Sequence, residues 1–146
     1  MSTALLVDTN VLWKRTLRDQ LTAKIKANLL RVYVPTLAHA ERIRQIADEK
    51  GEQFALHVIQ QLVAESGFEL LPFSVEDAEA MAEVWLALKA KGATEHDWEQ
   101  NRLDILLCAV AQSRGCTLIT DDAGQHFNVV TSRMKTTDLR KWLEQI

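Results

Sequence analysis

The chain has 146 residues, 47% of them hydrophobic, which is the length and composition of one globular domain. Its net charge of -3 argues against a protein that holds nucleic acid through a bulk positive field. The two cysteines form neither a disulfide framework nor a paired zinc-ligand spacing, so we expect two buried thiols. The N-terminal segment has no basic region and too short an apolar run for a signal peptide or membrane span, which predicts a cytoplasmic protein without a membrane segment.

The first half of the chain is predicted to alternate short strands with helices. Apolar runs at residues 4–7 and 32–34 have the length and composition of strands. A helix is predicted over 36–49, where a threonine after a proline opens the run and a glycine follows its end. Apolar residues at every fourth position predict a second helix between 50 and 66, and a third strand follows at 68–71.

The second half continues the alternation. Ser74, with acids two and three residues later, resembles a capping box and predicts a helix that runs toward residue 90. Asn101, with an acid three residues later, predicts a second helix over 104–113. Two more apolar runs, at 117–119 and 129–131, complete a set of five predicted strands.

The predicted strands are largely apolar along their whole length. Strands that are apolar on both faces belong to parallel sheets covered by helices on each side. The fold class is therefore α/β, a three-layer α/β/α sandwich around a central, mainly parallel five-stranded sheet. We find no linker, repeat or low-complexity segment, which predicts a single domain over residues 1–146.

Four acidic residues lie where the predicted elements begin or end. They are Asp8 after the first strand, Glu41 in the early turns of the helix after the second, Asp104 in the first turn of the helix before the fourth, and Asp122 after the fourth. In a doubly wound sheet of order 3-2-1-4-5 the first and fourth strands are neighbours, and ligands bind beyond their carboxyl ends. Because hard cations such as Mg²⁺ prefer oxygen ligands, the sequence predicts a divalent-metal pocket at this edge.

Several polar and charged side chains adjoin these acids. Thr9, Asn10, Thr120 and Asp121 are predicted to orient the carboxylates through hydrogen bonds. Near the pocket mouth a set of basic residues offers contacts for backbone phosphates, although an ordinary solvated helix charge is the simpler interpretation of each. The set consists of Lys14, Arg15, Arg18 and Arg42.

Each acid taken alone has a plainer explanation. Asp8 fits a turn or a helix cap, Glu41 fits a solvated helix position, and Asp104 fits the third-position acid of a capping box. The metal pocket is favoured because all of these coincidences would otherwise fall at one predicted edge of one sheet.

The same residues resemble the PIN-domain nucleases, and within them the VapC-type toxins of bacterial and archaeal toxin-antitoxin pairs. The resemblance covers the whole chain and depends on the order of its motifs. These are a strand ending in Asp8-Thr9-Asn10, a lone Glu41 on the second helix, Asp104 followed by the apolar run 105–111, and the segment 115–120. The family usually has an Asp or Asn two positions after the threonine that ends this segment. That step assigns the fourth acid to Asp122 and leaves Asp121 as its rival.

The resemblance implies a Mg²⁺- or Mn²⁺-dependent endoribonuclease that hydrolyses RNA phosphodiester bonds. One or two ions would be held by the catalytic residues Asp8, Glu41, Asp104 and Asp122, with Asp8 and Asp104 as the primary ligands. Physical chemistry agrees, because an in-line displacement at phosphorus places negative charge on two oxygens that such ions stabilise. The resemblance also implies a homodimer and a cognate VapB-type antitoxin whose tail fills the acidic groove.

Two alternatives stay open at this point. One is a PIN-fold RNA-processing nuclease that has no antitoxin, which a neighbouring gene for a small DNA-binding protein would exclude. The other is a non-catalytic module that binds RNA or protein and retains an idle pocket. Acids at all four positions argue against the second alternative.

Overall fold

Five short strands pair into one sheet at the centre of the molecule. The structure is a computed structural model that describes residues 3–8, 11, 13–121 and 132–146. The strands are β1 (Thr3–Val7), β2 (Leu30–Pro35), β3 (Glu69–Leu71), β4 (Thr117–Ile119) and β5 (Arg133–Met134). All pairings are parallel and the order is β3-β2-β1-β4-β5, which confirms the predicted order and makes the sheet wholly parallel.

Helices connect the strands and cover the sheet. They are α1 (Arg15–Lys26), α2 (Thr36–Lys50), α3 (Glu52–Ser66), α4 (Val75–Ala90), α5 (Glu95–Arg114) and α6 (Thr136–Gln145). The capping box predicted at the start of α4 is present, since the Ser74 hydroxyl accepts from the Asp77 amide and the Asp77 carboxylate accepts from the Ser74 amide. The helices predicted at 36–49 and between 50 and 66 are confirmed as α2 and α3.

Alternate residues of β1 divide the core between the two faces of the sheet. Leu6 contacts the cluster formed with α4 and α5, whereas Leu5 and Val7 contact the cluster formed with α1 and α6. All three side chains are essentially inaccessible to solvent. Because successive strand residues face opposite sides, a strand that is apolar throughout requires a helical layer on each face. The predicted three-layer sandwich is confirmed.

The start of α5 differs from the prediction. The helix begins at Glu95, where Thr94 and Asp97 form a capping box, and not near residue 104. Asp104 therefore lies midway along α5 and not in its first turn. The prediction was wrong because Asn101 lies inside the helix and caps nothing there. The earlier Thr94-x-x-Asp97 pattern satisfies the free amides of the first turn.

The fifth strand and the cysteines complete the comparison. The predicted strand at 129–131 lies outside the described residues, and the strand that pairs with β4 is β5, two residues further on. Both cysteines are buried and free, as predicted. Burial raises the pKa of the Cys108 thiol to about 12, so this group is inert at neutral pH. Among the described helices, none combines the length and the apolar character needed to cross a bilayer.

Candidate active site

The carboxyl ends of β1 and β4 form the floor of the candidate site. Val7 is paired with Ile119, so the next residues, Asp8 and Thr120, leave the sheet side by side. Both lie on a cavity of about 270 Å³ at this edge. The described residues that line it are Asp8, Val11, Lys14, Asp104, Leu107, Ile119, Thr120, Asp121 and Thr136. The crevice predicted beyond the first and fourth strands is present.

Asp104 reaches this cavity because α5 enters the core immediately after it. Every residue from Ile105 to Ala111 is buried, which holds this part of the helix against the sheet. Asp104 is half-buried and lies one residue before this buried segment. Asp8 and Asp104 therefore line the same cavity, although they are far apart in the sequence.

Glu41 lies beside an adjoining, smaller cavity of about 140 Å³. Asp8 lines this cavity as well, so the two cavities share one carboxylate. The Glu41 carboxylate accepts hydrogen bonds from Arg44, one of them from Nε at 3.2 Å. These bonds and the Arg44 charge lower the pKa of Glu41, so the group is ionised but directed to its helical neighbour. Its helix and turn agree with the prediction, whereas the partner Arg44 was not predicted.

Asp121 is held by two partners of its own. Its carboxylate accepts from the Thr136 amide at 2.8 Å and from the Thr136 hydroxyl, and Lys14 Nζ lies 3.2 Å from Oδ2. The amide of Thr136, followed by the hydroxyl and Lys14, lowers the pKa of Asp121. Asp121 thus caps the first turn of α6 from its position just after β4.

The remaining predicted residues divide into two groups. Thr120 lines the larger cavity next to Asp8 and Asp104. Thr9, Asn10 and Asp122 lie outside the described residues, and their assigned roles stay predictions. Sequence reasoning missed Thr136, since its partner Asp121 belongs to a different element and no local pattern links the two.

The side chains beside the larger cavity offer oxygen donors to a divalent cation. Within the part of the chain that the structure describes, no group of three His, Cys, Asp or Glu side chains stands close enough to hold one metal ion. Three carboxylates line the larger cavity, those of Asp8, Asp104 and Asp121, and Asp121 is bound by Thr136 and Lys14. Mg²⁺ commonly takes one or two protein carboxylates and fills its other positions with water and substrate phosphate. Hard oxygen donors in a solvated cavity fit that behaviour.

A wholly parallel sheet with carboxylates gathered beyond adjacent strands defines an α/β protein with a candidate cation-binding crevice. The PIN domain family model matches residues 5–130, and the chain belongs to this family. Comparison with the curated proteins gives no match.

Solved structures show the same fold at low sequence identity. VapBC2 from Rickettsia felis, bound to a DNA fragment from its promoter, contains a chain that is 15% identical with a TM-score of 0.71, over 91% of this chain and 98% of that one. DNA-bound VapBC from Salmonella typhimurium gives 16% identity and a TM-score of 0.69, over 92% and 98%. VapBC-1 from nontypeable Haemophilus influenzae gives 18% identity and a TM-score of 0.69, over 92% of this chain and 99% of that one.

Proposed function

We propose that this PIN domain, spanning residues 1–146, is a Mg²⁺- or Mn²⁺-dependent endoribonuclease and the toxin of a VapBC-type pair. The observation that carries the proposal is the meeting of Asp8 and Asp104 in one cavity at the carboxyl edge of a PIN-family sheet. One element is a strand end and the other a buried helix, so both carboxylates stand on rigid supports.

Asp8 and Asp104 are the side chains that would hold the ion, with Asp122 as a predicted further ligand. When bound, a divalent ion stabilises negative charge on the attacking and leaving oxygens of the phosphodiester and activates a water nucleophile. Glu41 would join from the adjoining cavity once its carboxylate leaves Arg44, and would orient the water. Thr9, Asn10 and Thr120 would fix the rotamers of the neighbouring carboxylates through hydrogen bonds.

The structural neighbours support the biological part of the proposal. Several of them are VapBC pairs, which supports a VapB-type antitoxin as the partner of this chain. We further propose a homodimer that acts on RNA in the cytoplasm. The net charge of -3 is consistent with an acidic groove that a basic tail of an antitoxin would fill.

A cleavage assay tests the activity. Purified protein should cut total RNA with Mg²⁺ or Mn²⁺ and stop with EDTA, and mapping of the new ends would identify the preferred sequence. Asp8→Asn and Asp104→Asn should each lower the rate by about a hundredfold or more, because each removes a ligand charge at the reacting centre. Asp19→Asn, at an exposed acid of α1, is the matched control and should keep the wild-type rate.

One observation favours a second candidate, a non-catalytic PIN module. The Glu41 carboxylate is already bound by Arg44, which competes with any metal ion for it. Wild-type protein that cleaves no RNA with either metal, while binding RNA or a partner protein, would establish this candidate and overturn the nuclease proposal. Cleavage by a protein whose gene has no neighbouring gene for a small DNA-binding antitoxin would instead indicate a processing nuclease.

A further inference from the structure

Four basic residues were predicted near the mouth of the candidate site, and the structure divides them into two groups. Arg15 and Arg18 lie on α1 and approach Asp19 at 4.0 and 3.9 Å, and the Arg15 side chain is 87% exposed. Neither is among the described residues that line the two cavities beside Asp8. Lys14 and Arg42 do line them, one in each cavity.

Lys14 forms part of the wall of the larger cavity, together with Asp8 and Asp104. Its ammonium contacts Asp121, and the two side chains are 40% and 49% exposed. Exposed ion pairs contribute little to stability, since water and salt screen them. The ammonium can therefore exchange its carboxylate partner for a phosphate oxygen at low cost.

Arg42 forms part of the wall of the smaller cavity, together with Asp8 and Glu41. Its Nη1 donates to Gln45 Oε1 at 3.2 Å, which fixes one side of the guanidinium. Its Nε is buried and has no hydrogen-bond partner within the described part of the chain. A buried N–H without an acceptor is unfavourable, and a guanidinium has the planar geometry that matches phosphate. Because Arg42 lines this cavity, its guanidinium is placed to donate to an oxyanion that enters.

We propose that Lys14 and Arg42 are substrate-positioning residues that bind backbone phosphates on the two sides of Asp8. The inference depends on the proposed nuclease function and adds how this acidic protein holds its RNA. The net charge provides no long-range attraction, and carboxylates repel a phosphodiester, so local cations must offset that repulsion. Because the cavities share Asp8, a strand that crosses this residue meets one cation before the reacting phosphate and one after it.

Steady-state cleavage of a fluorescent single-stranded RNA, in Mg²⁺ and at several KCl concentrations, tests the proposal. Lys14→Met and Arg42→Met should each raise KM by about tenfold or more and change kcat less. The slope of log KM against log salt should fall by about 0.7 for each lost phosphate contact on a single strand. Arg15→Met, the neighbouring exposed cation, should match the wild type in both measurements.

Charge-preserving variants separate binding from folding. Lys14→Arg and Arg42→Lys should recover most of the salt slope, whereas a purely structural role would leave the slope of every variant equal to that of the wild type. Wild-type KM and slope in both methionine variants, alongside normal wild-type cleavage, would overturn this inference and leave the nuclease proposal intact. A wild-type protein that does not cleave RNA would contradict the nuclease proposal itself.

Discussion

Among the described residues, Asp77 is the acid most completely removed from solvent, with an exposure of 0%. It accepts from Arg114 Nε at 3.2 Å, from Arg114 Nη2 at 3.1 Å and from the Ser74 amide at 2.8 Å. Burial alone would raise the pKa of this carboxyl, but these hydrogen bonds outweigh burial and the pKa is lowered. One side chain therefore joins the start of α4 to the end of α5.

Asp77→Asn should destabilise the fold in a pH-dependent manner. Asparagine can still accept from the Ser74 amide but loses the ion pair with Arg114. We therefore expect the free energy of unfolding to fall by about 1–3 kcal/mol at pH 7. Because the folded pKa lies below the unfolded one, the charge stabilises fully above the unfolded value of about 3.9 and less as pH falls through the folded pKa. Urea unfolding of both proteins at pH 7 and pH 3 measures this. A difference in unfolding free energy that is the same at both pH values would contradict the assignment.

At the scale of single residues, the sequence located the acids better than it predicted their partners. Asp8 and Asp104 were predicted to meet because an apolar strand ends at the first and an apolar helical run begins after the second, and the structure places both in one cavity. The contact of Glu41 with Arg44 depends on the rotamers of two exposed side chains, and the sequence does not determine such rotamers. Asp121 contacts Thr136 across two elements, and no local pattern encodes such a pairing.

At the scale of elements, a capping pattern predicted the start of α4 but not that of α5, where the cap is Thr94 and not Asn101. Ser74 caps α4 and the prediction was correct. Lys14 and Lys135 precede α1 and α6 and make no side-chain cap, so no capping pattern marks where these two helices begin. In α6 the missing cap is supplied by Asp121, from the end of the neighbouring strand.

The Thr94 capping box can be tested by mutation. Thr94→Ala removes the acceptor for the Asp97 amide and should cost about 1 kcal/mol of unfolding free energy, with fraying limited to the first turns of α5. RNA cleavage should be preserved, because Asp104 lies beyond the frayed turns. Thermal unfolding and hydrogen exchange of α5 measure the effect, and Thr94→Ser, which keeps the hydroxyl, serves as the control. Loss of protection around Asp104 would show that the cap supports the whole helix.

At the scale of the whole molecule, the apolar pattern determined the architecture. Strands without a polar face required helices on both sides, and two core clusters occupy those positions. The predicted order of the strands was also confirmed. The two residues of β5 were not predicted, because a strand this short is too brief for an apolar period to be recognised.

Metal binding should stabilise the whole fold if the proposed site is correct. An ion that binds the native cavity and not the unfolded chain adds about 2.7 kcal/mol at a hundred times its Kd. For a domain of this size, that corresponds to a rise in Tm of about 5–10 °C. Scanning calorimetry with millimolar Mg²⁺, Mn²⁺ or EDTA measures it, and the double variant Asp8→Asn, Asp104→Asn should show no rise. An unchanged Tm in the wild type would contradict a metal site in this cavity.

The double role of Asp121 connects substrate handling to a distant part of the core. The carboxylate that starts α6 also positions Lys14, and α6 is anchored by Leu139 and Leu143 on the face of the sheet opposite α5. Substitutions among those leucines would shift the helix and, through Thr136, the ammonium in the cavity wall. If Lys14 positions RNA as proposed, natural variation among these leucines would change the affinity for RNA without altering Asp8 or Asp104.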